Sequence, residues 1–78
     1  MTEDERERAF RYTFRRYDEL GPVGLTKARF RLRTKISSSG EMLPEVFDEL
    51  LEDLIAQNGW SQARALAYFE IIDIEDRI

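Results

Sequence analysis

The sequence predicts one small α+β domain over residues 1–78, with the element order β-β-α-β and a three-stranded sheet (strand order 2-1-3) that carries one helix on one face. Three patterns lead to this fold: alternation over two segments of the first half, a helical stripe in the third quarter, and an apolar run near the end. A chain of 78 residues supports one thin core and leaves no room for a deep active-site cleft.

The first strand is predicted after a charged start. Residues 1–8 are almost all charged, and we interpret them as a frayed arm or a first helical turn. In the segment that follows, every second residue is aromatic: Phe10, Tyr12 and Phe14. A period of two is that of a half-buried strand, and aromatic residues suit strands, so we predict a strand over residues 9–17.

The alternative for this segment is a helix from Thr2 to Leu20. Thr2 and Glu5 have the spacing of a capping box, and Gly21 with Pro22 would end the helix. The aromatic residues also share one helical stripe: Phe10, Phe14 and Tyr17.

The second strand is predicted by alternating cations, after a turn-rich loop that contains Gly21, Pro22 and Gly24. We call these cations the basic ladder: Lys27, Arg29, Arg31, Arg33 and Lys35. The residues between and after them are Ala28, Phe30, Leu32, Thr34 and Ile36. In a strand, a period of two places the whole basic ladder on one face of the sheet.

The helix is predicted over residues 44–58. Pro44 suits the first helical position, and Gly59 suits the residue just past the end. Its apolar residues form a stripe that can pack on a sheet: Val46, Phe47, Leu50, Leu51, Leu54 and Ile55. Acidic residues cover the opposite side: Glu45, Glu49, Glu52 and Asp53.

The last strand is predicted over residues 65–74, returning parallel to the second strand through a right-handed crossover. Both of its faces are apolar, which indicates burial on both sides. Because one helix covers only one face of the sheet, we expect an exposed apolar patch at Tyr68, Ile72 and Ile74, and hence a homodimer. The predicted core is Phe10, Tyr12, Phe14, Phe30, Leu32, Phe47, Leu50, Leu51, Leu54, Phe69 and Ile71.

Charge is divided between the two halves of the chain. Residues 1–40 hold ten Lys/Arg and six Asp/Glu, whereas residues 41–78 hold two and ten. Such asymmetry concerns partners rather than fold. Because the helix and the basic ladder are predicted on opposite sides of the sheet, we expect that the two charge sets do not pair directly. The alternative is that the ladder pairs with the acidic half or guards a sheet edge.

Absent residue types exclude several classes of function. Without cysteine there is no disulfide and no thiolate nucleophile, and without histidine the usual general base and the commonest zinc ligand are missing. The acidic start is unlike a signal peptide, and no apolar run approaches the ~20 residues that span a bilayer. We therefore expect a cytoplasmic protein that is not an enzyme, with no cofactor, no metal site and no membrane contact.

These observations predict a non-enzymatic protein-binding module. Its size class includes phage and mobile-element inhibitors of host nucleic-acid machinery, such as anti-CRISPR proteins. The alternative is a small RNA- or DNA-binding domain that uses the basic ladder. A further alternative makes the acidic helix face a mimic of nucleic-acid phosphates. The candidate binding residues are Arg11, Arg15, Lys27, Arg29, Arg31, Arg33, Lys35, Tyr68 and Ile72.

Overall fold

Four helices make up the fold. The computed structural model of the protein describes residues 2–76, with side chains described through residue 73. The helices are α1 (Glu3–Asp18), α2 (Gly21–Ser38), α3 (Pro44–Asn58) and α4 (Gln62–Asp76). Residues 2–76 contain no strand, so the predicted α+β class, the β-β-α-β order and the 2-1-3 sheet are wrong.

Helix α1 begins at the capping box and replaces the predicted first strand. The Thr2 hydroxyl oxygen accepts a hydrogen bond from the Glu5 backbone N–H (3.2 Å), and the hydroxyl donates to the Glu5 carboxylate (3.0 Å). Residues 3–8 thus form the first turns of α1. Phe10 and Phe14, four residues apart, pack against the core, whereas Tyr12 is 67% exposed. The core prediction for Tyr12 is therefore wrong, because the helical period turns it outward.

Helix α2 contains the basic ladder, which a helix cannot keep on one face. Residues two apart lie about 200° apart around a helix axis, so alternate residues fall on opposite sides. Ala28, Leu32 and Ile36, spaced by four, face the core. Phe30 lies between them in sequence but points outward and is 64% exposed, so its predicted core position is also wrong.

Helix α3 confirms the prediction for residues 44–58 at both ends. Pro44 occupies the start, and Gly59 follows the end in the left-handed conformation (φ +65°). Phe47 and Leu51 are fully buried. Leu50 lies at the edge of the apolar stripe and is exposed, so the core prediction for this residue is wrong.

Helix α4 is the centre of the molecule and packs against each of the other three helices. The strand predicted over residues 65–74 is wrong, because these residues lie in a helix. The segment is nevertheless buried on most of its surface, as its apolar residues indicated. Its buried apolar residues are Ala63, Ala65, Leu66, Ala67, Phe69 and Ile71. Between residues 63 and 73 only a narrow strip is exposed, formed by Arg64, Tyr68 and Ile72. The prediction for the Ile74 side chain lies outside the described residues.

The helices pack in a fixed order around α4. Helix α1 forms the most extensive helix pair with α4, and α2 lies between α1 and α3. The α3–α4 hairpin places the Phe47 and Phe69 rings 5.1 Å apart, a distance typical of favourable aromatic pairs. Trp60, in the connection, packs its ring 5.5 Å from that of Tyr68. This arrangement leaves the outer side of α2 without a helical neighbour in the part of the chain that the structure describes.

Candidate binding surfaces of helix α2

Two members of the basic ladder tie α2 to α3. Arg29 Nη1 lies 3.0 Å from Glu52 Oε1, and Arg33 Nε donates to Asp48 Oδ2 at 3.1 Å. Arg29 also lies 3.6 Å from Asp48 and donates to Gln62 at 3.2 Å. The expectation that the two charge sets do not pair is therefore wrong, because a helix, unlike a strand, turns Arg29 and Arg33 toward the acidic helix.

A third member of the basic ladder, Lys35, ties α2 to α4. Its ammonium nitrogen lies 3.2 Å from Oδ2 of Asp73, whose side chain is almost completely buried. Lys35 itself remains partly exposed. A buried carboxylate is costly unless it is compensated, so this ion pair has a structural role in holding α2 on α4.

The other two members of the basic ladder, Lys27 and Arg31, remain on the solvent side. Neither forms an ion pair with any residue in the described range. They flank the exposed ring of Phe30 along an open groove that Thr26 and Thr34 also line. We call these five residues the α2 outer surface: Thr26, Lys27, Phe30, Arg31 and Thr34.

The candidate cations of α1 lie elsewhere. Arg11 pairs with Glu7 one turn before it, at 2.6 Å. Arg11 and Arg15 line a groove with Phe10 and Phe14 that contains no residue of α2. The structure therefore does not bring these two arginines together with the basic ladder.

The predicted apolar patch is the narrow exposed strip of α4. Tyr68 and Ile72 are 39% and 37% exposed. They line a groove with residues of the first turns of α1, including Glu3 and Glu7. The Arg64 guanidinium lies over the Trp60 ring, 4.9 Å from its centroid, at the end of the strip. Residues 3–8 thus flank the patch without covering it.

A polar group between α1 and α4 was missed by the sequence patterns. The Tyr17 hydroxyl donates to Glu70 Oε1 at 3.0 Å, and Arg16 Nη1 lies 3.9 Å from Glu70 Oε2. Burial raises the pKa of Tyr17 well above its usual range, and the charge and hydrogen bond of Glu70 raise it further, whereas Arg16 and Arg31 oppose the rise. The phenol is therefore a protonated donor at neutral pH.

Other exposed apolar residues were also missed. Val23 on α2 lies seven residues before Phe30, and both are exposed. Leu43, Val46 and Leu50 form a second exposed stripe at the start of α3. A helical period applied to residues 21–38 would have found the first pair, since residues seven apart share a helical face.

Within the described residues, no group of three or more acidic side chains is placed to hold a metal ion. None of the helices in residues 2–76 combines the length and apolar character needed to cross a bilayer. Comparison of the chain with protein-family models, curated proteins and solved structures finds no significant match.

Proposed function

We propose that the protein is a non-enzymatic protein-binding module that contacts its partner through the α2 outer surface. The observation that supports this is the position of Phe30, which is 64% exposed between Lys27 and Arg31. An exposed aromatic ring adds little to the stability of the folded chain. Aromatic residues and arginine are enriched in protein interfaces and dominate their binding energy.

The proposed partner presents a pocket for an aromatic ring, with acidic groups at its edge. Phe30 would act as the anchor, and Lys27 and Arg31 would steer association with the acidic surface. A phage or mobile-element inhibitor of host nucleic-acid machinery has this size, and that class remains part of the proposal. A cysteine-free sequence is compatible with the cytoplasmic location that we propose with it.

The absence of catalysis is also part of the proposal. The sequence has no histidine or cysteine to serve as a general base or nucleophile near neutral pH. The buried Tyr17 hydroxyl is occupied in a hydrogen bond to Glu70. A binding role therefore accounts for the exposed groups more simply than a reaction does.

The test is affinity purification from the native host with matched variants. We expect the wild type to recover one stoichiometric protein partner, and Phe30→Ala and Arg31→Glu to lose it. The control is Glu49→Lys, a charge reversal at an exposed position of α3. If Glu49→Lys abolishes capture and Arg31→Glu does not, the acidic face of α3 is the working surface, and the α2 proposal is wrong.

Direct nucleic-acid binding is the second candidate. It is favoured by the two cations that have no described ion-pair partner, Lys27 and Arg31, beside an aromatic ring on which a base can stack. The formal net charge of −4 opposes it at long range. An oligonucleotide mobility shift at low salt, lost in Phe30→Ala and Arg31→Gln, would favour this candidate. The protein-binding proposal predicts no such shift.

A further inference from the structure

A cleft lies between α1 and α2, above the Glu70 side chain of α4. Its volume is about 260 Å³. Its charged lining is three cations from two helices, Arg16, Arg31 and Lys35, together with the single carboxylate of Glu70. The cleft shares Arg31 with the α2 outer surface, whereas Arg16 belongs only to the cleft and Phe30 only to the α2 outer surface.

The cations of the cleft are not fully neutralised by the protein. Arg16 approaches Glu70 only to 3.9 Å, beyond hydrogen-bond distance. Arg31 forms no ion pair with a residue in the described range. Lys35 is paired with the buried Asp73. Two guanidinium groups from different helices therefore flank one opening with most of their donors available.

Tyr17 lines the same cleft as Arg16 and Arg31. The positive charges of these two arginines also oppose the rise in the pKa of its phenol. Leu20, Ala28 and Leu32 form an apolar wall beside these charges. The cleft thus combines a cationic rim with a surface for a small organic group.

We propose that this cleft binds a small phosphomonoester, with Arg16 and Arg31 holding the phosphate group and the apolar wall receiving the organic part. The planar guanidinium group matches the oxygens of a phosphate in a bidentate arrangement. The oxygens of one phosphate group can accept hydrogen bonds from both arginines at once, whereas a carboxylate pairs in a bidentate arrangement with only one. The volume lies below the ~300–1,000 Å³ of drug-sized sites, which favours a small ligand over a dinucleotide.

The Glu70 carboxylate opposes phosphate binding, and this opposition provides a separate test of the proposal. Its carboxylate accepts the Tyr17 hydrogen bond and also repels an approaching phosphate. We therefore expect Glu70→Gln, which keeps an acceptor for Tyr17, to raise the affinity for phosphate. The matched control is Glu49→Gln on α3, which changes the net charge equally at an exposed site outside the cleft.

The experiment is an NMR titration of the full chain with inorganic phosphate and with phenyl phosphate. We expect saturable shifts around Tyr17 and Leu32, with phenyl phosphate binding more tightly because it also covers the apolar wall. Arg16→Gln and Arg31→Gln should each lower the affinity for phenyl phosphate about tenfold, as the loss of a charge-assisted hydrogen-bond pair implies. Lys27 lies on α2, like Arg31, but outside the cleft. Lys27→Gln should therefore change the affinity for phenyl phosphate less than about twofold, as expected for a screened surface charge.

Chemical shifts that do not saturate with phosphate would overturn the site. So would an equal loss of phosphate affinity in Lys27→Gln and Arg16→Gln, or an equal gain of phosphate affinity in Glu49→Gln and Glu70→Gln. Helical circular dichroism of each variant shows that the fold is intact. Phe30→Ala should leave phenyl phosphate binding unchanged, and Arg16→Gln should leave partner capture unchanged, so failure of the cleft is distinguishable from failure of the α2 outer surface.

Discussion

Helices α2 and α4 both contain a segment that was predicted to be a strand, but the two helices occupy opposite environments. In α2 one stripe faces the core, and the outer side carries the exposed Phe30 with Lys27 and Arg31. In α4 nearly every residue from 63 to 73 is buried, except for one narrow strip. Helix α4 therefore mainly serves stability, whereas α2 divides its residues between stability and an exposed surface.

The largest expected difference is between apolar truncations in the two helices. Leu66→Ala in α4 should lower the free energy of unfolding by ~2–5 kcal/mol, because the fully buried side chain leaves a cavity. Phe30→Ala in α2 should change it by less than ~0.5 kcal/mol, as is usual for exposed positions. Urea denaturation measures both values. A similar loss of unfolding free energy in the two variants would contradict the assignment of Leu66 to the core and of Phe30 to an exposed surface.

A second difference is expected within α2 itself, between two lysines. Lys35→Met removes the ammonium group that pairs with buried Asp73, and should cost ~2 kcal/mol of unfolding free energy. Lys27→Met removes a solvent-facing charge with no described ion pair and should be nearly neutral. Thermal and urea unfolding of the two variants give the comparison. Equal stability would show that the Lys35–Asp73 pair does not hold α2 on α4.

A smaller effect is expected at the contact between α2 and α3. Arg33→Met breaks the ion pair with Asp48, which is partly exposed, so the loss should be ~0.5–1 kcal/mol and should shrink at high salt. Arg31→Met on the same helix is the control and should show neither the loss nor the salt dependence. A salt-independent loss at Arg33 would assign its role to packing of the aliphatic stem rather than to charge.

The smallest effect at neutral pH is expected at Tyr17, where α1 meets α4. Tyr17→Phe removes one hydrogen bond to Glu70, worth ~1 kcal/mol or less. The sign of the pH dependence follows from the raised pKa of Tyr17: the folded state holds the phenolic proton more tightly than the unfolded state does. Its contribution is therefore complete below pH ~10, the ordinary tyrosine value, and is lost as the pH rises above that value.

The measurement is the unfolding free energy of wild type and Tyr17→Phe across the alkaline range. Wild type should lose stability more steeply than the variant as the pH rises above ~10. Parallel curves for the two proteins would show that Tyr17 ionises as easily in the folded state as in the unfolded state. Tyr12→Phe, at an exposed site, controls for alkaline titration elsewhere in the chain.

The sequence predicted α3 well because its two ends carry residues with strong local preferences. Pro44 and the left-handed Gly59 define the boundaries without reference to any neighbour. The capping box at Thr2 was an equally local signal for α1, and it outweighed the aromatic alternation that favoured a strand. Local chemistry at helix ends was thus more informative than periodicity over short segments.

Helix α2 shows why periodicity failed. Its core stripe is Ala28, Leu32 and Ile36, and these residues also fall on every second position of the alternating run. Phe30 occupies the next position of the same alternation, so the run resembles one face of a strand. In the helix, however, Phe30 points outward, away from the core stripe. In α4 the residues are apolar all round, so no period exists, but its alanines and its length would have favoured a helix.

The candidate surfaces were predictable in part. Lys27 and Arg31 belong to the predicted set and lie on the α2 outer surface. Arg16 and Glu70, which line the cleft between α1 and α2 with Tyr17, could not be grouped from the sequence, because they lie on helices that meet only in the folded chain. The homodimer stays a prediction: Tyr68 and Ile72, from which it was inferred, lie on an exposed strip of α4 and not on a bare sheet face.

The central position of α4 also affects the order in which the chain can fold. The Tyr17–Glu70 hydrogen bond joins residues 53 apart, so the largest helix pair closes a loop that contains most of the described chain. Loop closure costs entropy before the contacts repay it, which slows folding relative to local helix pairing. During synthesis α4 emerges last of the four helices, and until then α1, α2 and α3 lack their common packing partner. The core therefore cannot be completed, and the apolar stripes of the other three helices cannot all be buried, before the final helix packs.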